Sequence, residues 1–546
     1  MFHTCVSSGY LSEVFRCYAG RLNARGKETV RHSSVSAVSD HSLSASSSHQ
    51  EPFKIAIIGA GFAGVAAAWH VMNVISEDGD ADSRVINSRP VQLHLYDEKG
   101  IAGGASGVAA GLLHPYTPRG KIIWRGTEGV AATIRLVNAA EAAEIALDSG
   151  EQAPLPCEAT RPEVSRRGKS LARRKGAVRL ARTLKQARDL GAFGPVSAEM
   201  GGQGVCLNAE ATRELLPGIS VPAEVEYDKN IRCDYVRPRT RVSRGKTNHS
   251  GGRREAMMCE RQTSSAAALY IPECIVLDTT RYLSALWDAT RLLARSSSVP
   301  KGTAAHFRKR TFTSLRNDED LQDCDAIIVA CGAAAGSISE LSEAGELPYQ
   351  LQGGHVVELV PSDDTSGLKA WGDDMPGILG SPYIAPLGPE RLLVGTTKEY
   401  DVSIADARSA GAVSAAEKGQ RAQAALRAAT KLMDASAAIF PPLSSMRVDI
   451  TRYGVRANPP RRREGSLPLV GRIKEKGERM SPRTRNRTSA RNCSPTYWFV
   501  GGLGARGLVY HGILGELVAR AALTNEPEII PDELRFDPEY GGVSIE

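Results

Sequence analysis

The stretch Phe53 to His70, FKIAIIGAGFAGVAAAWH, constrains this chain more than any other. An apolar run, Ile55 to Ile58, leads directly into Gly59-x-Gly61-x-x-Gly64, and an Ala-rich helical pattern follows. Each glycine answers a separate steric demand. Gly59 permits the tight turn out of the strand, Gly61 keeps side-chain atoms away from a pyrophosphate, and Gly64 lets the helix pack closely on the strand. The helix start then offers free N–H groups and a positive dipole end to phosphate. The strand–turn–helix setting makes this a dinucleotide-binding fingerprint, where the bare glycine spacing alone is weak.

A second apolar strand, Val91-Gln-Leu-His-Leu-Tyr-Asp97, ends in an acid placed to accept from both ribose hydroxyls. The interval from Gly64 to Asp97 exceeds the usual ~20 residues, and the polar stretch from Ser76 to Pro90 accounts for the excess as a surface insertion. Directly afterwards comes Gly103-Gly-Ala105-Ser106-Gly107, continuing through Gly111 to His114-Pro115. A loop of small residues there lets a large planar ring lie against backbone, which favours FAD over a nicotinamide.

From these residues onward the order of segments resembles the D-amino-acid-oxidase-like family of FAD-dependent oxidoreductases, over nearly all of 53–540. The segments that carry the likeness are Gly176–Arg182, Asn208–Pro217, Val276–Leu286, Asp325–Gly332, Gln352–Val357, Tyr383–Thr397, Tyr453–Arg456 and Pro468–Gly471. Two of the motifs, Gly104–Pro115 and Gly502–Leu508, look more narrowly like the oxidoreductase module of MnmC. That enzyme removes the carboxymethyl group of carboxymethylaminomethyl-uridine in tRNA.

The resemblance implies a noncovalently held FAD that takes hydride from a carbon bearing an amine. Its implied cofactor residues are Gly59, Gly61, Gly64, Asp97, Ala105, Ser106, Gly111, Gly332, Gly504, Ala505, Arg506 and Gly507. The Gly501–Glu516 turn leads into a helix, read as amphipathic, whose first amides suit the flavin carbonyl. Arg456 stands where related oxidases hold the substrate carboxylate, and a guanidinium grips a carboxylate through two parallel bonds. Arg506 is a second candidate cation and Tyr383 a candidate wall or hydrogen-bonding residue. Each also suits a plainer role, Arg456 and Arg506 in structural ion pairs and Tyr383 in a sheet. His114 and His355 are read as structural, and Cys331 as a small residue in a turn.

The net charge of +7 is unevenly spread. Residues 161–188, 236–261 and 474–491 carry +10, +6 and +5, which leaves the rest of the chain at −14. An acidic body with basic patches does not by itself argue for nucleic acid. The segments 161–188, 237–265 and 474–494 show no apolar periodicity as wholes and are expected to be basic insertions. The ten cysteines contain no C-x-x-C pair, so neither zinc nor a disulfide framework is signalled. No metal and no membrane span are expected.

Residues 1–52 hold twelve Ser, with Arg16, Arg21 and Arg25 early and only Glu13 as an acid in the first 26. That composition predicts a targeting leader for a chloroplast or mitochondrion; the alternatives are a merely disordered tail and a cytoplasmic location. The expected architecture is α/β: a Rossmann-like FAD domain (53–150, 270–345, 495–546) interleaved with a mixed, largely antiparallel substrate domain (190–269, 346–470). The expected function is hydride transfer from the C–H beside an amine, with tRNA carboxymethylaminomethyl-uridine as the sharpest substrate. The alternatives are a free small amino acid such as glycine, sarcosine or a D-amino acid, and a non-catalytic flavin-binding or RNA-interaction module.

Overall fold

Strand formation at Phe53–Ile58 follows from burial on both faces. Ile55 and Ile57 point into one core, with Val65, Val71 and Leu93, while Ala56 and Ile58 point into another, with Tyr96 and Phe312. A strand covered on both sides reads as an unbroken apolar run, which is what the sequence shows. The computed structural model describes residues 51–76, 89–149, 170–199, 204–226, 265–343, 347–362, 374–388, 390–413, 419–462, 465–473 and 495–535.

Phe53–Ile58 lies inside a six-stranded sheet, between Ala326–Val329 and Val91–Asp97. Ala304–Lys309 extends the sheet beyond Val91–Asp97, and Thr496–Gly501 extends it beyond Ala326–Val329. All these pairs are parallel, and Leu469–Arg472 closes the far edge antiparallel to Thr496–Gly501. The parallel run thus ends at Thr496–Gly501. The edge strand Leu469–Arg472 joins this sheet although its first two residues fall in the range expected for the substrate domain.

Four helices pack on one face: α1 (Phe62–Ser76), α2 (Gly126–Ser149), α3 (Thr279–Leu293) and α4 (Gly507–Thr524). Helix α4 is not amphipathic as expected, being buried from Gly507 to Gly515 and again at Val518, Ala519 and Ala521–Leu523. It lies between α1 and α2. A β-carbon on Gly512 would meet Ala132 at 3.0 Å and one on Gly515 would meet Ala66 at 2.8 Å, so both helix contacts require glycine.

The second sheet has nine strands, ordered Gly411–Val413, Met446–Asn458, Gln350–Pro361, Arg391–Gly395, Tyr383–Gly388, Gly377–Leu379, Ala177–Leu180, Ala268–Ile271, Val205–Leu207. Every neighbouring pair is antiparallel except Gly377–Leu379 with Ala177–Leu180. One face carries Val178, Val357, Leu359, Ile378, Ile384, Leu392 and Val394, and packs on Ala429 and Leu432 of the helix Gln420–Ala437. Alternation along each strand sends the intervening residues to the other face. Arg179, Val356 and Tyr383 belong to that second set.

The charge run expected as an insertion over 161–188 divides. Residues 161–169 lie outside the described residues, but 170–188 form two strands and the start of the helix Leu184–Glu199. Ala177 and Val178 in this stretch are fully buried. The reason is visible locally, since Ala177-Val-Arg-Leu180 supplies three apolar residues in four. The leader apart from Glu51 and Pro52, residues 237–264 and 474–494 lie outside the described residues.

Candidate active site

A cavity of about 1170 Å³ is lined by residues of both sheets. Its volume exceeds the ~300–1,000 Å³ of ordinary small-molecule sites, as a dinucleotide plus a substrate requires. Of the residues implied by sequence, Gly59, Gly61, Asp97, Ala105, Ser106, Gly111, Gly332, Gly504, Ala505 and Gly507 line it, together with Tyr383 and Arg456. Gly64 does not line the cavity. A β-carbon on it would stand 1.8 Å from the Gly59 carbonyl oxygen, so this glycine serves the close packing of α1 on the first turn.

The turn exposes backbone to the cavity. Gly59 has φ +108, and a side chain there would collide with the Ala330 carbonyl. A β-carbon on Gly61 would stand 2.8 Å from the Ser106 hydroxyl. That hydroxyl accepts from the Phe62 amide at 3.0 Å, so Ser106 ties the small-residue loop to the start of α1. The remaining first-turn amides of α1 lack intrahelical acceptors. Asp97 is more heavily engaged than sequence implied. Its Oδ2 accepts from the Ala60 amide, and its Oδ1 accepts from the amides of Lys99 and Gly100. Three of roughly four acceptor sites are taken, which leaves room for one ribose hydroxyl rather than two. These features fit FAD: backbone offered to a pyrophosphate at Gly61, an acid at the ribose position, and a strip of small residues from Ala105 to Gly111.

On the sheet side, Arg456 stands opposite Gln352 across the strand pair. Among the described residues no carboxylate acts on its guanidinium. Burial lowers its pKa from the usual arginine value, and the phenols of Tyr383 and Tyr400 act on it as well. Tyr383 reaches toward it because Gly395, opposite Tyr383 in the next strand, has no side chain. A β-carbon on Gly395 would lie 2.7 Å from the Tyr383 hydroxyl. Burial pushes the Tyr383 phenol well up, so it is a neutral donor.

Arg506, the second cation expected from sequence, is not among the residues that line the cavity. It ends a short 3₁₀ turn at the start of α4 and lies near Gly465 and Tyr510. Several other guanidiniums line the cavity, and among them Arg179 was passed over in the sequence as part of a charge run. Glu98 also lines the cavity and pairs with Arg408 at 3.2 Å. Cys331 lines it too, with its thiol donating to the Ile58 carbonyl and held near pKa 12 by burial. It is therefore a thiol, as its reading as a small turn residue requires.

Among the described residues no group of three or more His, Cys, Asp or Glu is arranged to hold a metal, and no helix is long and apolar enough to cross a membrane. No curated protein matches the chain. Solved structures do. Glycine oxidase from Geobacillus kaustophilus superposes with TM-score 0.53 at 15% identity, covering 87% of this chain and 95% of that one. Iminodiacetate oxidase from Chelativorans sp. BNC1 gives 0.51 at 20% identity, covering 88% and 98%. L-amino acid deaminase from Proteus vulgaris gives 0.52 at 10%, covering 93% and 99%. These likenesses establish the shared fold. The sequence profile described as FAD dependent oxidoreductase (DAO) matches residues 54–237 and 240–521. With a fingerprint turn that fits FAD and a match over most of its length, the chain belongs to the DAO family of FAD-dependent oxidoreductases.

Proposed function

We propose that the protein oxidises the C–H bond beside the nitrogen of an amine that also carries a carboxylate. The observation that carries this reading is Arg456, a cavity guanidinium acted on by no acid among the described residues and neighboured by the phenols of Tyr383 and Tyr400. A buried cation without a counter-charge is costly, and an anionic substrate group supplies the missing partner. Tyr383 adds a neutral O–H donor beside it. Bound FAD supplies a hydride acceptor, and the amine lone pair completes the C=N bond as hydride leaves. The chain's own task is to hold the carboxylate so that the adjacent C–H faces the ring, and to exclude water around it. FAD is held noncovalently in this reading, which the protonated Cys331 supports. The names of the glycine and iminodiacetate oxidases, both enzymes of small carboxylated amines, support the same substrate class.

A finer reading is the carboxymethylaminomethyl group of a tRNA uridine. One observation favours it over a free amino acid: the described part of the basic segment borders the cavity, where Arg179, Arg182 and Lys185 line the wall, and Arg119, from outside that segment, lines it too. Cations beside a site suit phosphate contacts, and such binding weakens steeply with salt. The Ser- and Arg-rich leader supports delivery to an organelle.

The test is anaerobic bleaching of the flavin in the purified holoprotein by glycine, sarcosine, D-amino acids and undermodified tRNA. Bleaching by carboxylated amines but not by methylamine supports the general reading, and bleaching by tRNA alone supports the finer one. Equal bleaching by amines without a carboxylate contradicts both.

A further inference from the structure

The cavity wall holds a second unpaired guanidinium. Arg179 sits in Ala177–Leu180, opposite Leu269 and beside Leu379, and lines the cavity. Its Nε is shut away from water without a hydrogen-bond acceptor. Burial lowers its pKa to about 10, which keeps it charged at neutral pH. Among the described residues the titratable group that acts on it is the Cys274 thiol, pushed far up by burial and so uncharged. The cavity carboxylates Asp97, Glu98 and Asp189 act on neither Arg179 nor Arg456.

His114 reinforces the same wall. Burial, then Arg179 and Arg506, drive its pKa down to about 3, so it is neutral. Its Nδ1 accepts from the Tyr116 amide at 3.2 Å, which puts the ring proton on Nε2 and makes that atom a donor. Around Arg179, then, the wall offers a fixed positive charge and a neutral N–H donor, with no acid among the described residues acting on either.

Separation decides what can answer both arginines. The strands of Arg456 and Arg179 are five places apart in the sheet, roughly 24 Å at about 4.8 Å per strand. Two arginine side chains narrow that gap without closing it. A glycine-sized substrate with its carboxylate on Arg456 leaves Arg179 unanswered. A nucleotide-sized molecule, with its anionic groups at opposite ends, answers both. Exposed Arg119 and Lys185 continue the positive wall outward from Arg179.

We propose that Arg179 is a phosphate anchor, and that the substrate is an elongated carboxylated amine whose far end is a nucleotide phosphate. This rests on the carboxylated-amine reading and extends it. A phosphate gripped by a half-buried guanidinium whose Nε has no other acceptor gains charge-assisted bonds.

Two measurements separate the proposal from the reading beneath it. The first uses uridine 5′-monophosphate, which has no oxidisable amine, and follows the shift it causes in the holoprotein's flavin absorbance. Binding should weaken at least tenfold in Arg179→Gln, recover in part in Arg179→Lys, and persist in Arg456→Gln. The second compares oxidation of 5-carboxymethylaminomethyl-uridine with that of its 5′-monophosphate. The wild type should favour the nucleotide at least tenfold in kcat/KM, and in Arg179→Gln that ratio should collapse to about one, through a fall in kcat/KM for the nucleotide. Loss of FAD from Arg179→Gln, seen as free flavin fluorescence, would assign Arg179 to the cofactor and overturn the proposal. Unchanged uridine monophosphate binding in Arg179→Gln would overturn it too. Weakened binding in a protein that oxidises neither compound would uphold the anchor and sink the proposed reaction instead.

Discussion

The Tyr383 hydroxyl lies 2.7 Å from the point where a β-carbon on Gly395 would stand, and Val356 lies 2.6 Å from the same point. The glycine is thus a vacancy that the phenol crosses on its way toward Arg456. Gly395→Ala should push the ring aside and lower kcat/KM about tenfold or more. Overpacking of one methyl group should cost only ~1–3 kcal/mol of stability. Tyr383→Phe removes one bond to a charged group, worth ~1.5–3 kcal/mol, and should cost a similar factor in kcat/KM with little change in melting temperature. Steady-state kinetics beside thermal denaturation separate the two effects.

The FAD turn makes a sharper demand. Gly61→Val puts a branched side chain where even a β-carbon stands 2.8 Å from Ser106 and fills the space offered to the pyrophosphate. The variant should purify folded by circular dichroism but colourless. Ser106→Ala should be milder, since it removes only the acceptor for the Phe62 amide, and should loosen FAD by about 1 kcal/mol. Flavin fluorescence during equilibrium dialysis reports both.

Three histidines, His70 and His511 in the core and His114 on the cavity wall, set an acid limit on stability. Burial lowers His70 and His114 to about 3 and His511 to about 4, all from an unfolded value of 6.5. Between those values the unfolded chain binds more protons than the folded one, so stability falls as pH drops from about 6.5 toward 4. His511 of α4 pairs with Tyr282 of α3, 2.7 Å away. Urea midpoints measured from pH 7.5 to 4.5 should decline, and His511→Gln should flatten the decline while lowering the midpoint at pH 7.

Helix α4 has no room on the flanks it shares with α1 and α2. Gly515→Val adds atoms where Ala66 already stands 2.8 Å from a β-carbon, and should destabilise the protein by ~1–3 kcal/mol or more. The change lies in the helix core away from the cavity wall. Any surviving folded protein should therefore keep its FAD spectrum, which a loss confined to the cofactor site would not allow.

The parts of this fold that were legible in sequence are those fixed by local sterics. Gly59, Gly61 and Gly64 sit within six residues of one another, and each excludes a side chain for a reason visible in one turn. Residues brought together by sheet pairing were harder. Arg456 was found through family likeness, because nothing in Tyr453–Arg456 says that four intervening strands put Arg179 on the same wall. Arg179 itself was hidden by its neighbours: 11 Lys and Arg in 161–188 read as a solvated run, although Ala177-Val-Arg-Leu180 carries a strand's apolar content. Helix α4 was expected to have a polar face. Its few charges and its glycines at 507, 512 and 515 were the signal that two helices press on it from both sides.

The central claim is that Arg456 grips the substrate carboxylate, and rapid anaerobic mixing tests it most directly. Flavin reduction is followed against substrate concentration for the wild type, Arg456→Lys and Arg456→Gln, using the amine that bleaches the wild type fastest. The expected result is apparent affinity weakened ~10–150-fold in Arg456→Gln, the loss of one charge-assisted bond pair, with partial recovery in Arg456→Lys and an unaltered resting FAD spectrum. Saturation at the wild-type concentration in Arg456→Gln would contradict the claim, because the carboxylate would then be held elsewhere.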